Sequence, residues 1–167
     1  MARTNKRDDL LAAAYRDHQE ALLGLARLLT NRSAEAEDLV QTAFSRFAVH
    51  VDEVASGAQR AYLRSIVINE WKRLAGSRRE DPGYQPVDNE LRTPATDPWA
   101  VRTDLMVVWN AIDRLPDRRR VVVILRLYED LSLPEIARLL GCRLGTVKSQ
   151  LHKGLRSIRE EMSVDDG

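Results

Sequence analysis

LSLPEIARLLGCRLGTVKSQLHKGLRSIRE, residues 131–160, predicts two helices joined by a tight turn. Ser132 followed by Glu135 fits a capping box, and Pro134 lies in the first turn, where a missing N–H does no harm. Ile136, Ala137, Leu139 and Leu140 supply a buried face. Gly141 can take the left-handed conformation that ends a helix. After a short connector, Cys142 to Leu144, the residues Val147, Leu151, Leu155 and Ile158 recur at steps of four, four and three. That stripe turns Thr146, Ser149, Gln150 and Lys153 outward. From Arg138 to Arg159 there are six Lys or Arg and no acid. The arrangement is a helix-turn-helix whose second helix is free to enter a major groove, with Arg143, Gly145, Thr146, Lys148, Ser149, Gln150, Lys153 and Arg156 as candidate DNA contacts. The bland alternative is a helical hairpin with a charged exterior. The missing acids and the small polar face favour DNA.

Outward from that segment, charge is segregated although the 167-residue chain has a net charge of only +1. Gln59–Arg79 holds six basic residues and one acid, whereas Glu80–Asp104 holds six acids and two basic residues. Two basic stretches separated by an acidic one suit two contacts with a polyanion. Four of the six prolines, Pro82, Pro86, Pro94 and Pro98, fall in the acidic stretch, which reads as an extended linker. Aromatic residues make up only 5% of the chain, and the pattern favours small helical domains over a β-sandwich.

Upstream, Leu22, Leu25, Ala26 and Leu29 mark one helix face, ending near Thr30 or Asn31. Asn31 or Ser33 is the expected cap of the next helix, whose buried stripe is Leu39, Val40, Ala43, Phe44 and Phe47. A break is expected around Gly57. A third helix spans about Gln59 to Ala75, with Leu63, Ile66, Val67, Trp71 and Leu74 on one side. VVVILRL, residues 121–127, resembles a strand by composition. It reads as a helix buried on several sides, because helical signals flank it and no second strand can pair with it. The fold class is therefore all-α, with two small helical domains. The single cysteine, Cys142, rules out an internal disulfide and reads as a small buried residue beside Leu140 and Leu144. No apolar run or leader suits a membrane or export, so the expectation is a cytoplasmic protein without membrane insertion.

The segment 131–160 closely resembles the promoter-reading helix-turn-helix of bacterial RNA polymerase sigma factors, in their extracytoplasmic-function (ECF) group. Its EIA (135–137), LGC (140–142) and GTVKS (145–149) elements carry the likeness. AEDLVQTAFSRF (36–47) resembles the helix that grips the clamp coiled coil of the polymerase β′ subunit. YLRSIVINEWKRL (62–74) resembles the helix that recognises and opens the minus-ten element, and LPDRRRVVVILRLYEDLS (115–132) matches the helix before the helix-turn-helix.

The resemblance implies a sigma-2-like domain at 8–80 for polymerase binding and minus-ten melting, a linker at 81–103, and a sigma-4-like domain at 104–162 for minus-thirty-five recognition. Glu37, Asp38, Gln41 and Ser45 would face the polymerase, with Leu39 and Phe44 inward. Asn69 matches a base-contacting position, Arg60, Arg64, Lys72 and Arg73 would hold phosphates, and Tyr62 and Ser65 complete the minus-ten set. Tyr62 is equally a stacking surface or a partly buried anchor. The loop from Val51 to Ala58 sits where related factors capture a flipped base. Two departures stand out: Arg143 replaces a common proline, and Gln150 replaces a common arginine. Gln pairs bidentately with adenine where Arg favours guanine, so the minus-thirty-five preference is expected to differ. Glu70 interrupts the basic helix, and an internal pair with Arg73 or Arg64 is the simpler account.

The implied partners are core RNA polymerase through its β′ clamp and β subunits, duplex promoter DNA, the melted non-template strand and an anti-sigma factor. No cofactor or metal is implied. A helix-turn-helix repressor or activator with an N-terminal sensor or dimerisation domain is the main rival, but it has no need of the basic helix in the first domain. An enzyme is disfavoured, because His18, His50 and His152 are dispersed and no metal or phosphate-loop spacing occurs.

Overall fold

The computed structural model describes residues 2–80 and 103–165, with side chains over 6–77 and 107–163. The acidic proline-rich segment falls at 81–102, outside the described residues. Seven α-helices and one short 3₁₀ turn account for the described chain, and no strand occurs among them. Contacts divide the molecule into two units, Met1–Pro86 and Val87–Gly167.

In the first unit, α1 (Ala2–Thr30), α2 (Ser33–His50) and α3 (Gln59–Glu80) all pack on one another. Their apolar stripes fill the centre: Leu22, Leu25, Ala26 and Leu29 meet Leu39, Val40, Ala43, Phe44 and Phe47, and Leu63, Ile66, Val67 and Trp71 close the third side. Each fully buried side chain of this size stabilises by about 1.5–3 kcal/mol, which fixes the faces of all three helices. Ile68 is also fully buried, a position outside the expected stripe, while Leu74 is only half-buried. The Trp71 indole Nε1–H donates to the Leu29 carbonyl at 3.1 Å, satisfying one of the orphan acceptors in the last turn of α1.

The α1–α2 corner corrects the expected cap. Asn31 takes a left-handed φ of 57° and its N–H donates to Arg27 O at 3.0 Å, so it closes α1 rather than opening α2. Ser33 is already inside α2. The N-cap is Arg32, extended at φ −135°, with no side-chain cap; its guanidinium pairs with Glu35 at 3.2 Å instead. The Thr30 hydroxyl accepts the Arg32 N–H at 3.3 Å and tightens the corner.

In the second unit, α4 (Thr103–Asp113), α5 (Asp117–Leu127) and α6 (Leu133–Leu140) pack around α7 (Leu144–Asp165). The β-branched run forms α5. Val121 to Leu125 are consecutively buried because α4, α6 and α7 cover it from several directions. Arg120 is anchored inward, donating to Leu115 O at 3.2 Å and pairing with Asp117. On α6 the capping box is complete: Ser132 Oγ accepts from Glu135 N–H at 3.3 Å, and Ser132 N–H donates to Glu135 Oε2 at 2.8 Å. Gly141 has φ 67°, and the N–H groups of Gly141 and Cys142 return to carbonyls of the last turn. Only Ile136 and Ala137 are fully buried on α6; Leu139 and Leu140 are half-buried. Cys142 is half-buried and Leu144 is exposed, so the turn is less enclosed than expected.

Candidate nucleic-acid interface

On α7 the buried side consists of Val147, Gly154 and Ile158, with Leu151 and Leu155 half-buried at its edges. At 100° per residue, Thr146, Ser149, Gln150, Lys153 and Arg156 lie within an arc of about 120° on the opposite side. All are exposed except Gln150, which is half-buried. The exposed residues Arg143 and Gly145 lead into this arc at the start of the helix. The Arg143 carbonyl accepts from Thr146 and Val147, so Arg143 is the residue on which α7 begins. Lys148 is exposed but lies about 140° round the axis from Lys153, on another flank. Arg156 pairs with Glu160 at 2.8 Å, both side chains well exposed. Such a pair is worth about 0–1 kcal/mol and is easily traded for a phosphate.

Gly154, absent from the sequence-level core, sets the crossing of α5 and α7. A Cβ there would lie 2.7 Å from Val123 Cγ2. The close approach also brings Arg119 of α5 to α7, where its guanidinium reaches Ser157 Oγ at 3.5 Å. A small residue in a polar helix stretch gives no periodic signal, which is why the stripe analysis passed over it.

On α3, Asn69, Lys72 and Arg73 are exposed and Tyr62 and Ser65 half-buried. These five fall within an arc of about 100°. Arg60 and Arg64 do not: they lie about 180° and 140° from Asn69 round the axis and are half-buried. The helix therefore splits the seven expected minus-ten residues into a face of five and two on the other side. Tyr62 sits 6.1 Å from the Phe47 ring and 6.4 Å from His50, and the Ser65 hydroxyl donates back to Tyr62 O at 2.6 Å. Glu70 is buried and pairs with Arg73 as expected, and also with Arg46 of α2, which the sequence did not suggest.

Before α3, the loop from Val51 to Ala58 is held at its base. Arg7 Nη2 donates to Ala48 O at 2.9 Å and Val49 O at 3.3 Å, and its Nε pairs with Asp52 at 3.2 Å. His50 Nδ1 and Glu53 Oε2 stand 3.0 Å apart, and Ser56–Ala58 forms the 3₁₀ turn leading into α3.

The outer face of α2 carries Glu37, Asp38, Gln41 and Ser45, all exposed and opposite the buried stripe. A shallow recess follows this face, lined by Asp38, Gln41, Thr42, Ser45, Arg46 and Val49. Val49 is 66% exposed, an apolar side chain at the end of an otherwise polar surface. Among the described residues, no group of three or more His, Cys, Asp or Glu is placed to hold a metal ion, and no helix is long and apolar enough to cross a membrane.

Comparison with known proteins identifies the family. The Sigma-70 region 2 family matches residues 14–80, and Sigma-70 region 4 matches residues 105–158. The chain is 39% identical over 155 residues to the RNA polymerase sigma-E factor of Streptomyces avermitilis, covering 90% of this chain and 84% of that protein. It is 32% identical over 161 residues to the ECF RNA polymerase sigma factor SigL of Mycobacterium tuberculosis, covering 90% and 87%. Its fold is similar to that of the sigma factor RpoE, solved in complex with the anti-sigma factor NepR from Bartonella quintana. That match has a TM-score of 0.66 at 23% identity and covers 97% of each chain. The chain belongs to the ECF group of RNA polymerase sigma factors, and it directs promoter-specific transcription initiation by RNA polymerase.

Proposed function

We propose that the two units divide the work, and that each carries it out by binding, with no covalent chemistry. The first unit, over 8–80, docks on core polymerase through Glu37, Asp38, Gln41 and Ser45, against the β′ clamp. It engages the minus-ten element through Tyr62, Ser65, Asn69, Lys72 and Arg73, with Arg60 and Arg64 adding charge from the other side of α3. The second unit, over 104–162, enters the major groove at the minus-thirty-five element. Thr146, Ser149 and Gln150 meet base edges, and Arg143, Lys148, Lys153 and Arg156 meet phosphates. Residues 81–103 join the two.

One observation carries this reading. The exposed arcs of α3 and α7 each combine a short polar reader with cations, and each faces away from the buried side of its helix. A sensor or dimerisation domain has no use for the first of these arcs.

Opening a promoter requires a base to leave the stack, which costs a few kcal/mol. A loop tied down before DNA arrives lowers the ordering cost of capturing that base, and the region 51–58 has such ties in Arg7 and His50. The setting is the cytoplasm, where polymerase works. By analogy with the sigma factor solved in complex with an anti-sigma factor, an anti-sigma protein would act by covering these faces.

The test is transcription in vitro from a genomic fragment library with purified core polymerase. Discrete start sites that depend on this chain are expected. Transcripts independent of it would overturn the proposal.

A further inference from the structure

By charge, an acid is out of place on α3. Glu70 is the one acid among six basic residues in Gln59–Arg79, and it is only 7% exposed. A buried carboxylate is costly unless cations or donors replace its water. Two guanidinium groups do so here. Arg46 Nη2 from α2 lies 2.6 Å from Oε1, and Arg73 Nε lies 3.1 Å from Oε2. The Glu70 side chain is 10% exposed, whereas those of Arg46 and Arg73 are 54% and 66% exposed. The anion is thus fixed while the cations sit at the rim. Arg46 occupies one carboxylate oxygen and leaves the other directed at Arg73. Arg73 lies about 40° from Asn69 round the axis, on the DNA-facing arc. A phosphate can engage Arg73 only in competition with a carboxylate already in place.

We infer that Glu70 is a positioning residue that holds Arg73 back from the DNA backbone and so limits indiscriminate binding by α3. This rests on the assignment of the α3 arc to promoter DNA. Indiscriminate affinity comes from phosphate neutralisation, whereas promoter opening also draws on base contact. Withholding one cation therefore weakens the first more than the second, and raises the discrimination between promoter and bulk DNA.

The experiment measures binding of the full chain to a random-sequence duplex oligonucleotide across a salt series, with thermal melting alongside. The variants are Glu70→Gln, Arg73→Gln and the double substitution. Glu70→Gln is expected to steepen the slope of log K against log salt by about 0.9, one phosphate. Arg73→Gln is expected to remove about 0.9 in the Glu70→Gln background but less than half of that in the otherwise native chain. Equal losses in both backgrounds overturn the inference, because a merely structural pair does not move the slope. If Glu70→Gln fails to fold, Arg73→Gln alone decides: a full loss in the native background overturns the inference, and a loss under half supports it. Lys72→Gln separates this from the parent assignment. It flattens the slope if α3 faces DNA, whatever Glu70 does; no change there sinks the assignment of the α3 arc, and the inference with it.

Discussion

At Gly154 the backbones of α5 and α7 approach so closely that one added carbon meets Val123 at 2.7 Å. Alanine there gains about 1 kcal/mol of helix propensity. The clash is the larger effect, because Val123 is fully buried and β-branched, so its methyl group is not the far end of a flexible side chain. Gly154→Ala should therefore destabilise the second unit by about 1–2 kcal/mol net, read as a lowered melting temperature. Asn69 presents the opposite situation: exposed, it holds nothing in the core. Asn69→Ala is expected to leave melting unchanged and to impair promoter opening more than initial binding. Permanganate reactivity of thymines in the bubble measures this, and undiminished reactivity would remove Asn69 from the site.

The helix α6 spans eight residues, too few to persist by propensity alone. Its ends do the work: a reciprocal capping box at Ser132 and Glu135 and a left-handed Gly141. Ser132→Ala should cost about 1 kcal/mol, visible as a lowered melting temperature, and should weaken duplex binding because α6 supports α7. These ends were legible in the sequence because capping is local, written in residues three apart. The apolar stripes of α1, α2, α3 and α7 were legible for the same reason, being one-dimensional patterns. Features made by two elements meeting were not. Asn31 looks like a cap until the chain must turn left-handed to bring α2 against α1. Arg46 shows no sign in its own helix that Glu70 awaits it, and Arg7 acts on residues more than 40 positions away. Arg60 and Arg64 lie about 180° and 140° round α3 from Asn69, an offset that residue spacing already contains and that their half-burial matches.

Across the molecule, the chain divides into two units, with Asn69 in the first and Lys153 in the second. Lys153→Ala should reduce promoter affinity and flatten its salt dependence by about 0.9 in log–log slope, one phosphate. Combined with Asn69→Ala, the losses in promoter-binding free energy should add to within about 0.5 kcal/mol. Larger coupling would show that the units do not read the promoter independently. Two units also imply separate unfolding events, and the bond from the Trp71 indole to the Leu29 carbonyl makes one of them visible. In a chain carrying Trp99→Phe and Trp109→Phe, the remaining indole emits from a buried, hydrogen-bonded site between α1 and α3. Its colour should shift toward the red when that site opens to water, giving the first unit an optical thermometer of its own.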